Sequence, residues 1–204
     1  MRIIVSLLTL LVGCFLPQLG FAQERPKATV TIVYINNSNC SFDSVLDEHV
    51  MNVLHGKVDG IYNIIPGDYY KKNLFDSNQN PSPNRIIDTV QNDNIDYLIY
   101  FQLQPFNRKE RMALFRYGKD MTATAILRIY SGKNGKCLFE KNFSAKASDD
   151  QTQVFLEDSL TAWIAIRSKN LGVAASDKVL YQAGEYISVN LPLAPLPSQT
   201  LDNI

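Results

Sequence analysis

Histidine, tryptophan and cysteine are scarce in this 204-residue chain, with two, one and three copies. His49 and His55 are the only imidazoles, six residues apart in one helical pattern. Six residues turn a helix by about 600°, which leaves the two rings on different faces. No cysteine pair has zinc-finger spacing, so no metal site is expected. No glycine-rich phosphate loop is present: Ser131 to Lys136, "SGKNGK", has the wrong spacing and lies between strand patterns. No cofactor is expected. Charge of either sign is not in excess, with twenty Lys and Arg against twenty Asp and Glu. A neutral chain has no wholesale attraction to nucleic acid or to anionic lipid. No apolar run reaches the roughly 20 residues of a comfortable membrane span.

What is present begins with a leader. Arg2 is the lone charge before an almost unbroken apolar run from Ile3 to Leu16, and Pro17 breaks it. This is the pattern of a secretory signal. Gly20-Phe21-Ala22 before Gln23 reads as an ordinary cleavage site. Leu11-Val12-Gly13-Cys14 reads instead as a lipoprotein box, with Cys14 as the lipidated residue. Cutting there leaves a greasy tether, Phe15-Leu16 and Leu19-Gly20-Phe21, so cleavage after Ala22 is favoured. The chain is then divided into a signal at 1–22, one domain at 23–191 and a proline-containing tail at 192–204. Membrane contact is expected only if Cys14 carries lipid. Cys40 and Cys137 remain after processing, an even number in an oxidising compartment, and a disulfide between them is one expectation. Two unpaired thiols are the other.

The pattern along the domain alternates strand and helix. Ala28 to Ile35, "ATVTIVYI", is β-branched and apolar on both faces, as in a covered central strand. Ser41 is a candidate cap for a helix carrying Phe42, Val45, Leu46, His49, Val53 and Leu54 on its apolar stripe. Ile61 to Pro66 is a short strand. Ser82 and Pro83 suit the start of a short helix with Ile86, Ile87 and Val90. Ile95 to Gln104, Met121 to Tyr130 and Cys137 to Phe143 are three further strands, the last two joined by an Asn-Gly turn. Ile95, Tyr97, Ile99, Phe101 and Leu103 are assigned to one face. Two helices are expected near the end: one around Leu160, Trp163, Ile164 and Arg167, and one capped by Ser176 with Val179, Leu180, Ala183, Ile187 and Leu191 inward. The predicted class is α/β with a mixed sheet, in the order β-α-β-α-β-β-β-α, and with helices packed on the sheet.

Candidate chemistry is thin. His49 lies on the expected apolar stripe, and a buried, satisfied imidazole outweighs a catalytic one. Cys40 stands near the start of the same helix, where a thiolate is stabilised. A secreted hydrolase using Cys40 and His49 is therefore the sharpest enzymatic alternative. Asp43, Asp47 and Glu48 read as a solvated helix face, and Asp149-Asp150 as a loop. One charged stretch stands out, Pro105 to Lys119, "PFNRKERMALFRYGK". Arg108, Lys109, Arg111, Arg116 and Tyr117 are its candidate ligand-binding residues, for a carboxylate, a phosphate or an acidic partner. The plainer alternative is a long hairpin extension with a solvated face.

Several phrases together resemble one family. "ATVTIVYI" leads to an amphipathic helix. "YNIIPGDYYKKNL" resembles a "vip" strand running into a short helix. "NDNIDYLIYFQLQ" resembles a later strand opened by aspartate. "ILRIYSGKNGKCLFEKNF" resembles a hairpin whose turn usually reads D-x-x-T-G-K. Gly135 and Lys136 match that turn, while Ser131 and Asn134 stand where Asp and Thr are common. From about Ala28 to Ala147 the chain is similar to the envelope-domain superfamily of the Tol translocation protein amino-terminal domain. The curli-secretion lipoprotein and the penicillin-binding-protein activator lipoproteins are relatives of that group. The resemblance implies a binding or assembly module of the envelope. With the secretory signal and the lack of a chemical constellation, the expectation is a non-catalytic exported module, periplasmic or secreted, whose partner is an envelope protein or a glycan.

Overall fold

The computed structural model describes residues 27–39, 43–67, 74, 82–90, 93–113, 116–151 and 160–193. Its elements are β1 (Thr29–Asn36), α1 (Asp43–Val58), β2 (Asn63–Ile65), α2 (Pro83–Val90), β3 (Tyr97–Leu103), β4 (Asn107–Ala113), β5 (Arg116–Ser131), β6 (Cys137–Gln151) and α3 (Leu160–Asn190). They build one mixed sheet with helices on it, as expected, and with one strand more than expected. β1 pairs in parallel with both β2 and β3. β3, β4 and β6 all pair antiparallel with β5.

β5 is the spine of the sheet. One of its edges takes β3 from Ala125 to Ser131 and β4 from Arg116 to Thr122. Its other edge takes β6 from Tyr117 to Tyr130. Between β3 and β4, three residues (Gln104, Pro105, Phe106) oppose only two (Ala123, Thr124). That is a bulge, and proline suits it because proline has no ladder N–H to give. β3 and β4 are thus one long, bent arm. The sequence leaves β4 unread because "NRKERMA" has no apolar alternation.

Both faces of the central strands are covered. On one face Ile32, Tyr97, Ile99, Phe101 and Met121 pack beneath α1 and α3. α1 contributes Leu46, Val50, Leu54 and Val58, and α3 contributes Ala175, Val179, Ala183 and Ile187. On the other face Val33, Leu98, Tyr100 and Tyr130 pack with Ile86 and Val90 of α2. Each large apolar side chain so buried contributes about 1.5–3 kcal/mol. Alanines at 123 and 125 of β5 and at 175 and 183 of α3 are fully buried, and their small size lets helix and sheet approach.

Five local expectations change. The α1 stripe runs through Val50 and Val58, while Val45 is 46% exposed, because α1 is turned toward α3. Ile95 precedes β3 and joins the α2 side of the core, opposite Tyr97 and Ile99. The two expected C-terminal helices are one continuous α3. Ser176 sits inside α3, buried, with no hydrogen-bond partner for its hydroxyl among the described residues, so it caps nothing. Asp149 lies in β6 and not in a loop.

The lower end of the sheet is clamped by Asp96. Its carboxylate accepts from Thr29 N–H at 2.8 Å, and its N–H donates to the Thr29 carbonyl at 2.9 Å. Its carbonyl accepts from Gly132 N–H at 2.8 Å, in the β5–β6 turn. That turn closes as the Asn-Gly pair implies. Asn134 Oδ1 accepts from Lys136 N–H at 3.0 Å, and Gly135 adopts φ 63°. At the same end, Ala28 N–H meets the Leu193 carbonyl at 3.3 Å. No described helix is long and apolar enough to cross a membrane.

Candidate functional site

The charged stretch folds into the β4–β5 arm. Strand alternation decides where its side chains go. Arg108 shares a face with Met121, and Lys109 and Arg111 share the opposite face with Asp120. Arg108 and Lys109 are exposed, as is every residue from Asn107 to Arg111. Arg116 ends the hairpin opposite Ala113, and Tyr117 pairs with Met112; their side chains lie outside what is described. The five candidates are therefore not one cluster. Arg108 is separated from Lys109 and Arg111 by the thickness of the sheet.

Asp120 is the knot that the sequence does not reveal. Its side chain is only 5% exposed. Lys146 Nζ approaches it at 2.6 Å from β6, and Arg111 approaches from β4 with Nη2 at 2.9 Å and Nε at 3.1 Å. The Lys146 ammonium, with Ser148 and Arg111 adding, holds the carboxyl at about 2 against the upward push of burial. Three strands are tied across this point, so Arg111 serves the arm's own structure. On the other face Lys119 is buried between the register positions of Glu110 and Asp149.

His49 is not buried. Its side chain is 37% exposed, and Nε2 pairs with the Asp177 carboxylate of α3. The helix rotation that buries Val50 puts His49 at the α1–α3 seam. Farther along the seam Lys57 Nζ lies 3.3 Å from Glu185 and 5.5 Å above the Tyr181 ring. Asp47 is half-buried and accepts from Asn36 Nδ2 at 2.7 Å, so it is not a free surface charge. Cys40, the sulfur that a hydrolase would pair with His49, and Cys14 both lie outside the described residues. Cys137 is exposed at the start of β6, and its Sγ–H donates to the Phe139 carbonyl at 3.3 Å. Burial of its surroundings and the Glu140 carboxylate push that thiol up, away from the reactive thiolate. The bridge to Cys40 rests on a residue outside the description. Among the described residues, no group of three or more His, Cys, Asp and Glu is placed to hold a metal.

An open groove of about 640 Å³ runs between β6 and α3. Ser144, Ala145 and Lys146 form one wall, and Asp177, Lys178, Tyr181 and Gln182 form the other. Lys178 Nζ crosses it to the Lys146 carbonyl at 2.8 Å. Tyr181 is 64% exposed.

No protein-family model matches the chain, and no curated protein sequence does. Solved structures share its outline weakly. The hypothetical protein CT253 from Chlamydia trachomatis matches 80% of this chain and 99% of its own, at 11% identity and a TM-score of 0.47. A minor lipoprotein from Acinetobacter baumannii matches 83% of this chain and 98% of its own, at 10% identity and a TM-score of 0.43. The rare lipoprotein B from Shewanella oneidensis matches 79% and 98%, at 10% identity and a TM-score of 0.43.

Proposed function

We propose that this chain is an exported cell-envelope protein that works as a binding or assembly module, docking an envelope protein or a glycan through its β4–β5 arm. The observation that carries the reading is the arm itself. It exposes every residue from Asn107 to Arg111, yet it is tied to β5 and β6 through the buried Asp120 carboxylate, which pairs with Arg111 and Lys146. Rigid presentation of exposed Arg108 and Lys109 lowers the ordering cost of docking. The exported state rests on the leader, with release after Ala22 or anchoring at Cys14 as its two forms.

The test is photocrosslinking in the native host from a probe at Lys109, with a probe at exposed Asn52 on α1 as comparison. A specific adduct from Lys109, and at least about tenfold weaker saturable binding of the captured partner by an R108E/K109E chain, support the reading. Equal labelling from both positions, or binding unchanged by the double replacement, overturns it.

A second reading is retained for one observation: Asp177 orients the His49 imidazole as a carboxylate orients a general base. It makes the chain a hydrolase with Cys40 as nucleophile. Turnover by the purified chain that is lost in C40S and on thiol alkylation is its signature.

A further inference from the structure

On one side the sheet's edge is shared by β2, with three residues, and β4, with seven; on the other side β6 presents fifteen, and among the described residues β6 pairs only with β5. A long strand edge with no proline is a template for another strand. Its one irregularity is a bulge at Leu138, next to its start.

We propose that β6 is a self-association edge, on which a second copy of this chain adds its own β6 antiparallel about a two-fold axis at Phe143. The argument is charge register. With Phe143 opposite its copy, Glu140 faces Lys146 on both sides of the axis, Asn142 faces Ser144, Lys141 faces Ala145, and Phe139 faces Ala147. No like charges meet. Sliding the pair to set Lys141 opposite Asp149 puts Glu140 against position 150, another aspartate. Centring it on Lys146 sets two ammonium groups together. Like charges directly opposite destabilise a strand pair, and opposite charges support it.

The faces agree with this register. Phe143 and Ala147 lie on the α3 side and are buried, and Phe139 is half-buried there. Glu140 and Lys146 lie on the other side, where Glu140 pairs with Arg128 and Lys146 with Asp120. An isologous joint makes one continuous twelve-stranded sheet from two six-stranded ones, with both α3 helices on one face. The groove beside Ser144–Lys146 receives the partner's residues 140–142, which brings the partner's Lys141 toward Asp177 and the partner's Glu140 toward Lys146. Among the described residues, the Lys178 side chain reaches over this edge to the Lys146 carbonyl.

The test uses the full exported chain in a Cys40→Ser, Cys137→Ser background. Sedimentation over a range of concentrations is expected to give a dimer. In the proposed register residues 142 and 144 are directly opposite, about 5 Å apart at Cβ, while 142 and its own copy are diagonal at about 7–8 Å. Oxidising a mixture of N142C and S144C chains is therefore expected to yield at least about five times more disulfide dimer than either chain alone, since a bridge needs close Cβ atoms. Circular dichroism of each variant controls for folding at these two exposed positions. A monomer at every concentration overturns the proposal, and so does a dimer whose crosslinking shows no preference for the mixed pair. A monomer that binds a different extended peptide along β6 also overturns it.

Discussion

Gly132→Ala probes how tightly the β5–β6 turn is pressed onto the end of β1 and β3. A Cβ at this position falls 1.9 Å from the Ile95 carbonyl oxygen and 2.9 Å from its carbon. These are backbone atoms, so no side chain can rotate out of the way. Relief requires the turn to lift, and lifting breaks the 2.8 Å bond from Gly132 N–H to the Asp96 carbonyl. Losing one buried backbone partner costs about 1–3 kcal/mol. Forcing a backbone shift in a packed region costs another 1–3 kcal/mol or so. An overall loss of about 3 kcal/mol is expected, which for a domain of this size lowers Tm by roughly 6–12 °C. Gly56→Ala is the matched control, because a Cβ there meets nothing within 4 Å and the residue lies in α1. That change is expected to stabilise by about 0.5–1 kcal/mol. Urea unfolding followed by far-ultraviolet circular dichroism reads both. A Gly132→Ala protein within about 0.5 kcal/mol of the parent refutes the close-approach argument.

Other expectations follow from single contacts. Asp120 has a folded-state carboxyl held at about 2 by Lys146, Ser148 and Arg111, below its ordinary value of 3.8. Its contribution is present above the unfolded value and is lost as pH falls from about 4 through 2. Stability measured against pH should fall less steeply across that window in D120N than in the parent, and parallel profiles would count against the knot. Leu54→Ala empties a fully buried site between α1 and the sheet and should cost about 2–5 kcal/mol in denaturant unfolding. Ser176→Ala removes a buried hydroxyl that has no partner among the described residues, and should raise stability by about 1 kcal/mol; a loss of that size shows that the hydroxyl is satisfied. Asp177→Asn breaks a half-exposed pair with His49 and should change stability by less than about 1 kcal/mol.

Local chemistry was legible in the sequence where one residue type settled the matter. The β-branched run of β1, the Ser82-Pro83 start of α2 and the Asn-Gly turn of the β5–β6 hairpin are all read from neighbours in the chain. β4 was hidden because Asn107 to Arg111 are polar and exposed, so no period-2 apolar signal exists to find. The break assigned near Ser176 followed from serine's preference for caps, which tertiary packing of Ala175, Val179 and Ala183 overrides in α3. The candidate site was legible only as a composition. Which face Arg108, Lys109 and Arg111 take depends on the β4–β5 register, which the Pro105 bulge sets. The partners of His49 and Lys57 lie 128 residues away, beyond any spacing argument.

The bond between Ala28 and Leu193 has a consequence for orientation. It brings Ala28 and Leu193 to one corner, beside the β5–β6 turn. The Ala113–Arg116 pair stands at the far end of β5, a strand's run of on the order of 50 Å away. If the chain is anchored at Cys14, as one form of the proposed function has it, the domain hangs by that corner like a flag from its hoist, and exposed Arg108 and Lys109 are carried away from the anchor.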